Sequence, residues 1–136
     1  MKRVTGIGGI FFKTEDPKKI KEWYGKHLGF DVTEWGCTFR WKDINKPEAP
    51  MLSGAEATAR TEWSPFEKGT TYFQPSEKPF MFNYRVENLV ELLKVLKEEG
   101  VTIVGEMQEY PYGKFGWVMD PEGNKIELWE PIDEGF

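Results

Sequence analysis

The stretch Phe115 to Pro131, FGWVMDPEGNKIELWEP, restricts the fold more than any other part of the chain, because its pattern is that of a β-hairpin. Its centre, Asp120-Pro121-Glu122-Gly123-Asn124, is a dense turn in which Pro presets φ and Gly supplies a positive φ. The arms alternate with period two, so Ile126 and Leu128 share one face while Lys125, Glu127 and Trp129 share the other. A carboxylate is thereby set among large side chains on the face opposite the apolar one. That second face is where chemistry is expected.

The rest of the chain divides into elements of comparable clarity. Val4 to Lys13 is β-rich, and Asp16-Pro17 caps a helix whose apolar positions Ile20, Trp23, Tyr24 and Leu28 form one stripe ended by Gly29. Phe30 to Thr33 and Cys37 to Lys42 read as strands joined near Gly36, and Arg60 to Phe66 as another. Between them, Asn45 to Arg60 shows neither period and reads as a long loop of the kind that often forms a lid or binding segment. Gly69 to Lys78 is a second linker, carrying Tyr72 and Phe73. Phe80 to Val86 is a strand, and Asn88 caps a second helix with Glu91 at the capping-box position and a stripe of Leu89, Leu92, Leu93 and Leu96. Val101 to Val104 reads as a strand, Gly105 to Gly113 as a connection, and the hairpin closes the chain.

This order is strand, helix and three strands, twice over. Gly9 to Asp16 matches Met81 to Asn88, with a helix beginning at the end of each; residues 39–43 match residues 116–120; and Trp63-Ser64-Pro65 matches Trp129-Glu130-Pro131. Three matches in one order point to an internal duplication with modules at about 4–66 and 80–131. The fold class expected is α+β: two βαβββ modules forming a curved mixed sheet, a cup with helices on its outer face.

Bulk properties narrow the partners. A chain of 136 residues is one ordinary domain, and aromatics at 15%, six of them Trp, suit a lined cavity. A net charge of -5 argues against nucleic acid and against an anionic membrane surface as partners. The single cysteine, Cys37, allows no intramolecular disulfide and reads as a small buried residue, while the glycine-interrupted N-terminus has the look of a first strand in a cytoplasmic protein.

The first helix ending in WYGKHLGF (Trp23 to Phe30) and the closing DPEGNKIELWEP (Asp120 to Pro131), within paired modules, resemble the vicinal oxygen chelate superfamily, which includes glyoxalase I, extradiol dioxygenases and bleomycin-resistance proteins. The resemblance implies metal ligands at the first and last strands of each module. Carried over, these places fall on Gly9 and Met81, and on Thr61 and Glu127, of which Glu127 alone is a good ligand. A one-residue shift in the third strand would bring Glu62 into the cup and turn Trp63 outward. His27 falls in the helix-end pattern and reads as scaffold.

The cup-facing positions are then Phe11, Thr61, Trp63, Asn83, Arg85, Phe115, Trp117, Met119 and Trp129, with Arg40 where the repeat places Trp117 and Met81 alongside. Two arginines beside aromatic rings suit a planar or anionic ligand. The leading expectation is a small-molecule-binding member with a degenerate metal site and no cofactor. The alternative is a lyase, isomerase or dioxygenase that uses a divalent metal or Glu127 as base. The resemblance also implies a homodimer.

Overall fold

The turn at Asp120–Asn124 forms as its residues dictate. Asp120 Oδ1 accepts from the backbone N–H of Glu122 and of Asn124, both at 2.9 Å, and Asp120 Oδ2 accepts from Asn124 Nδ2 at 2.7 Å. Gly123 takes φ 79°, which a side chain would disfavour. The computed structural model describes residues 2–44 and 58–133. In chain order its elements are β1 (Val4–Thr14), α1 (Pro17–Leu28), β2 (Cys37–Lys42), β3 (Thr58–Glu67), β4 (Phe80–Val86), α2 (Leu89–Glu98), β5 (Gln108–Tyr110), β6 (Gly113–Met119) and β7 (Lys125–Pro131).

The strands form one open mixed sheet of order β2-β3-β1-β4-β7-β6-β5. The fold is α+β, as expected. Each half follows the same rule: the strand before the helix pairs in parallel with a later one, β1 with β3 and β4 with β7, and that later strand carries an antiparallel neighbour. β1 and β4 pair antiparallel at the centre. Two expected strands shrink to isolated bridges, Thr33 with Gly36 and Ile103 with Val118, while β5 lies where a plain connection was expected. Most of the expected loop Asn45 to Arg60 lies outside the described residues; its last three, 58–60, belong to β3.

Both helices cover one face of the sheet. Asp16 Oδ1 accepts from Lys19 N at 3.0 Å to start α1, and Gly29 at φ 71° ends it. Tyr24 packs against Trp63 with tilted rings and against Phe30 edge to face, at ring distances of 4.6 and 5.1 Å. The predicted stripe is only partly buried, since Trp23 and Leu28 stay 50% and 58% exposed. α2 is seated more deeply. Asn88 Oδ1 accepts from Glu91 N, and Leu89 and Leu92 pack with Val86, Val118 and Leu128 into a core that Leu93, Leu96 and Ile126 border. Burying such leucines contributes about 1.5–3 kcal/mol each. With the helices on one face, the other is left to carry the site. Among the described residues no helix is long and apolar enough to cross a membrane.

Candidate functional site: an aromatic cavity around a held carboxylate

Strand register sets the site. Glu62, Gly9, Asn83, Glu127 and Trp117 are successive partners across β3, β1, β4, β7 and β6, so they form one row on the face away from the helices. On one side of this row stand Ser64, Phe11 and Met81; on the other stand Arg60, Arg85, Trp129 and Phe115. A cavity of about 850 Å³ opens over these rows, within the range of small-molecule sites. Its walls are mostly rings. Phe115 and Trp129 stack at 5.8 Å with planes 8° apart, and Phe66 and Tyr72 at 5.8 Å and 4°. The rim comes from both edges of the sheet: Trp35 before β2, and Tyr110 and Tyr112 where β5 meets β6.

Glu127 stands in the wall of this cavity, 2% exposed, with donors on both oxygens. Asn83 Nδ2 donates to Oε1 at 2.6 Å; Trp117 Nε1 donates to Oε2 at 2.8 Å; and the Tyr72 hydroxyl donates to Oε2 as well. Burial pushes the Glu127 carboxyl above the ordinary carboxylate range, opposed by these hydrogen bonds and by Lys125. Burial, with the charge and hydrogen bond of Glu127, pushes the Tyr72 hydroxyl up. The Lys125 ammonium donates to the Tyr72 carbonyl at 2.7 Å and lies 5.3 and 5.6 Å from the Tyr72 and Trp117 ring centres. Burial lowers its pKa and Glu127 raises it. Together these contacts fix one carboxylate by three donors and set a cation behind their rings.

Six of the sequence-predicted site residues come together in the cavity wall: Phe11, Asn83, Phe115, Trp117, Glu127 and Trp129. The other six, Arg40, Thr61, Trp63, Met81, Arg85 and Met119, do not line it. Trp63 points to the helices and packs against the rings of Tyr24, Phe30 and Phe12. Thr61 takes the same parity, accepting from Trp41 Nε1 at 2.9 Å and donating to the Ile7 carbonyl at 2.6 Å. The one-residue shift weighed for β3 is therefore the observed register, and Arg60, Glu62, Ser64 and Phe66 face the cavity in their place. Met81 is fully buried beside Phe11 and Phe73, beneath the wall rather than in it. Arg40 pairs across from Arg60 on the edge strand and is exposed.

Arg85 is engaged elsewhere. Its guanidinium makes a two-pronged contact with Asp133, at 3.0 and 2.5 Å, and lies 5.5 and 5.4 Å from the Trp41 and Trp129 rings. Its carboxylate partner is thus Asp133 and not the Glu127 of the cavity wall. Tyr72 was the main omission. It lies in an aperiodic linker, and two adjacent aromatics within a polar stretch were the only hint that the linker folds inward. Phe73, with no exposed surface, anchors it.

The residues present do not fit a divalent metal. Such an ion needs about three or four protein N or O donors with free lone pairs. At Gly9 there is no room for a ligand, since a Cβ there would sit 2.6 Å from the Phe11 ring. At Asn83 and Trp117, N–H groups point at the carboxylate, and the Tyr72 hydroxyl takes another of its lone pairs. Glu62 Oε2 accepts from Thr38 Oγ1 at 2.7 Å. Among the described residues no group of three or more His, Cys, Asp or Glu side chains is placed to hold an ion.

Comparison with known proteins agrees with the fold. No curated protein matches the chain. Solved structures that resemble it include a methylmalonyl-CoA epimerase from Mycobacterium tuberculosis, at 18% identity and TM-score 0.59, covering 98% of this chain and 93% of that one. A Streptomyces coelicolor methylmalonyl-CoA epimerase in complex with 2-nitronate-propionyl-CoA shows 12% identity and TM-score 0.64, with 94% and 98% covered. A glyoxalase/bleomycin resistance protein/dioxygenase superfamily member from Vibrio splendidus shows 16% identity and TM-score 0.51, with 96% and 99% covered. At these identities the likeness is one of fold. The sequence profile of the Glyoxalase/Bleomycin resistance protein/Dioxygenase superfamily matches residues 6–128, most of the chain, and the protein belongs to that superfamily.

Proposed function

We propose that this protein is a small-molecule-binding member of its superfamily that takes a planar organic ligand between aromatic walls and uses no metal to do so. One observation carries the reading: the carboxylate at the metal place, Glu127, is already held by Tyr72, Asn83 and Trp117 beside a cavity large enough for a ligand. Parallel ring pairs in the walls favour flat guests, which stack at little conformational cost. The anionic half of the sequence-based expectation loses its support, because Arg85 is engaged by Asp133 and Arg40 stands outside the wall.

A second reading keeps Glu127 as a proton-transfer base. Its favouring observation is a carboxyl raised by burial in the cavity wall, a setting typical of catalytic bases. Against it stand the three protein donors that already engage its two oxygens. The two readings separate in one experiment. Chelator-treated protein is titrated with planar compounds, following the fluorescence of Trp117 and Trp129, and Glu127→Gln is compared. Binding that survives the substitution with no turnover supports the binder; turnover lost in the variant while binding remains supports the enzyme.

We also read the chain as a homodimer. Ile10 and Phe82, paired at the centre of the helix-covered face, stay 42% and 40% exposed, which suits a partner surface. Light scattering that shows a monomer throughout the micromolar range would contradict this.

A further inference from the structure

Resting on the binding reading above, we infer that the cavity selects planar cations over planar anions, with Glu62 as the residue that sets the preference. Among the described residues, the charged groups in its wall are Arg60, Glu62 and Glu127. They are not equally reachable. The Glu127 side chain is 2% exposed and takes three protein hydrogen bonds, so a ligand has little access to its charge.

Arg60 is nearly as inaccessible, its side chain 9% exposed, with Nε 3.7 Å from Asp133 and 3.8 Å from Glu62 and the guanidinium carbon 5.1 Å from the Trp129 ring centre. Glu62 differs: its side chain is 31% exposed. Thr38 donates to Oε2 at 2.7 Å, while the ion pair of Oε1 with Arg60 is a long one at 3.8 Å. The charge a guest meets is therefore a carboxylate.

The rings act in the same direction. Trp35 is 79% exposed at the rim, and Tyr110 and Tyr112 are 44% and 40% exposed with their rings stacked at 5.4 Å and 7°. The faces of such rings are negative, so they attract a cation and repel an anion. A delocalised planar cation lying among Trp35, Tyr110 and Tyr112 at the rim would meet exposed aromatic surface, with its charge compensated by Glu62. An anionic guest of the same shape would have the ring faces and Glu62 against it, with the Arg60 charge already shared by Asp133.

The test uses three flat tricyclic probes of one shape: N-methylacridinium as the cation, acridine in mildly alkaline buffer as the neutral form, and anthracene carboxylate as the anion. Each is titrated into the wild-type protein by tryptophan quenching. The expected order is cation, neutral, anion, with about tenfold between cation and neutral. Glu62→Gln, which keeps an acceptor for Thr38, is expected to remove most of the gap between cation and acridine and to leave acridine unchanged. An anion bound as tightly as the cation overturns the inference, as does a cation preference that is undiminished in Glu62→Gln. The wild-type order stands as a test even if the variant fails to fold. If none of the three probes binds, the binding reading itself fails, a result distinct from binding in the wrong order.

Discussion

Replacing Glu127 tests the hub of the site, and the structure gives opposite outcomes for two substitutions. Glu127→Ala removes the acceptor of Asn83 Nδ2 and of Trp117 Nε1, both inside the protein, while the Tyr72 hydroxyl can turn to solvent. Stranding a buried donor costs about 1–3 kcal/mol. Two such donors, less the relief of no longer burying a carboxylate, give a loss of about 2–4 kcal/mol. Glu127→Gln behaves differently. Its amide oxygen can accept from Trp117 and Tyr72, and the Asn83 amide, turned over, can accept from the new NH₂ through Oδ1, which has no hydrogen-bond partner now. This variant is expected within about 1 kcal/mol of wild type at acidic pH.

The difference between wild type and Glu127→Gln then depends on pH. In the folded protein Glu127 holds its proton above the ordinary value of 4.5, so from that pH upward the folded state binds more protons than the unfolded chain. Wild-type stability therefore falls as pH rises through the interval between the unfolded and folded values, and Gln, which does not titrate, escapes the fall. Urea unfolding of the three proteins, followed by tryptophan fluorescence at several pH values, measures both effects. Glu127→Ala within about 1 kcal/mol of wild type would refute the hub, and a constant gap between Glu127→Gln and wild type would refute the raised carboxyl.

Other outcomes follow from the same contacts. Asp133→Asn leaves the buried Arg85 guanidinium without its two-pronged partner and is expected to lower unfolding free energy by about 3 kcal/mol; a loss too small to measure by urea unfolding would contradict this. Gly8→Ala would put a Cβ 2.1 Å from Asn83 Oδ1, so it should cost about 1–3 kcal/mol and weaken ligand binding as Asn83 shifts; unchanged melting would show that the wall yields. Trp35→Ala, at an exposed rim position, should leave stability within about 0.5 kcal/mol and reduce affinity for a flat ligand; calorimetry reads the second and thermal melting the first. Burial pushes the Cys37 thiol up, so alkylation of native protein should be slow and should accelerate on unfolding.

How much of this was legible in the sequence depended on whether a feature was local. Caps at Asp16 and Asn88, the stop at Gly29 and the turn at Asp120–Asn124 are set by neighbours in sequence, and they form where the residues placed them. The hairpin face was equally clear, because strict alternation on β6 and β7 puts Phe115, Trp117, Glu127 and Trp129 on one side. β3 was harder to place. The Trp63-Ser64-Pro65 match to Trp129-Glu130-Pro131 sets the two tryptophans equivalent, yet Trp63 fills the space under Tyr24 and Phe30 whereas Trp129 faces the cavity. Only pairing with β1, which sets Glu62 opposite Gly9 and Trp63 opposite Ile10, decides that parity.

Long-range electrostatic pairing was the least legible. Nothing between Arg85 and Asp133 in sequence announces their contact, and the link runs from a central strand to the chain's far end. The inward turn of Tyr72 likewise depends on Phe73 finding a pocket beside Phe11 and Met81, a packing result rather than a pattern.

The decisive measurement is the affinity of chelator-treated protein for N-methylacridinium, repeated with zinc, nickel or manganese added. The account requires binding in the chelated protein, with the same dissociation constant when any of the three metals is present. Binding that appears only with metal and is lost in Glu127→Gln would contradict it, and would return Glu127 to the role of a ligand.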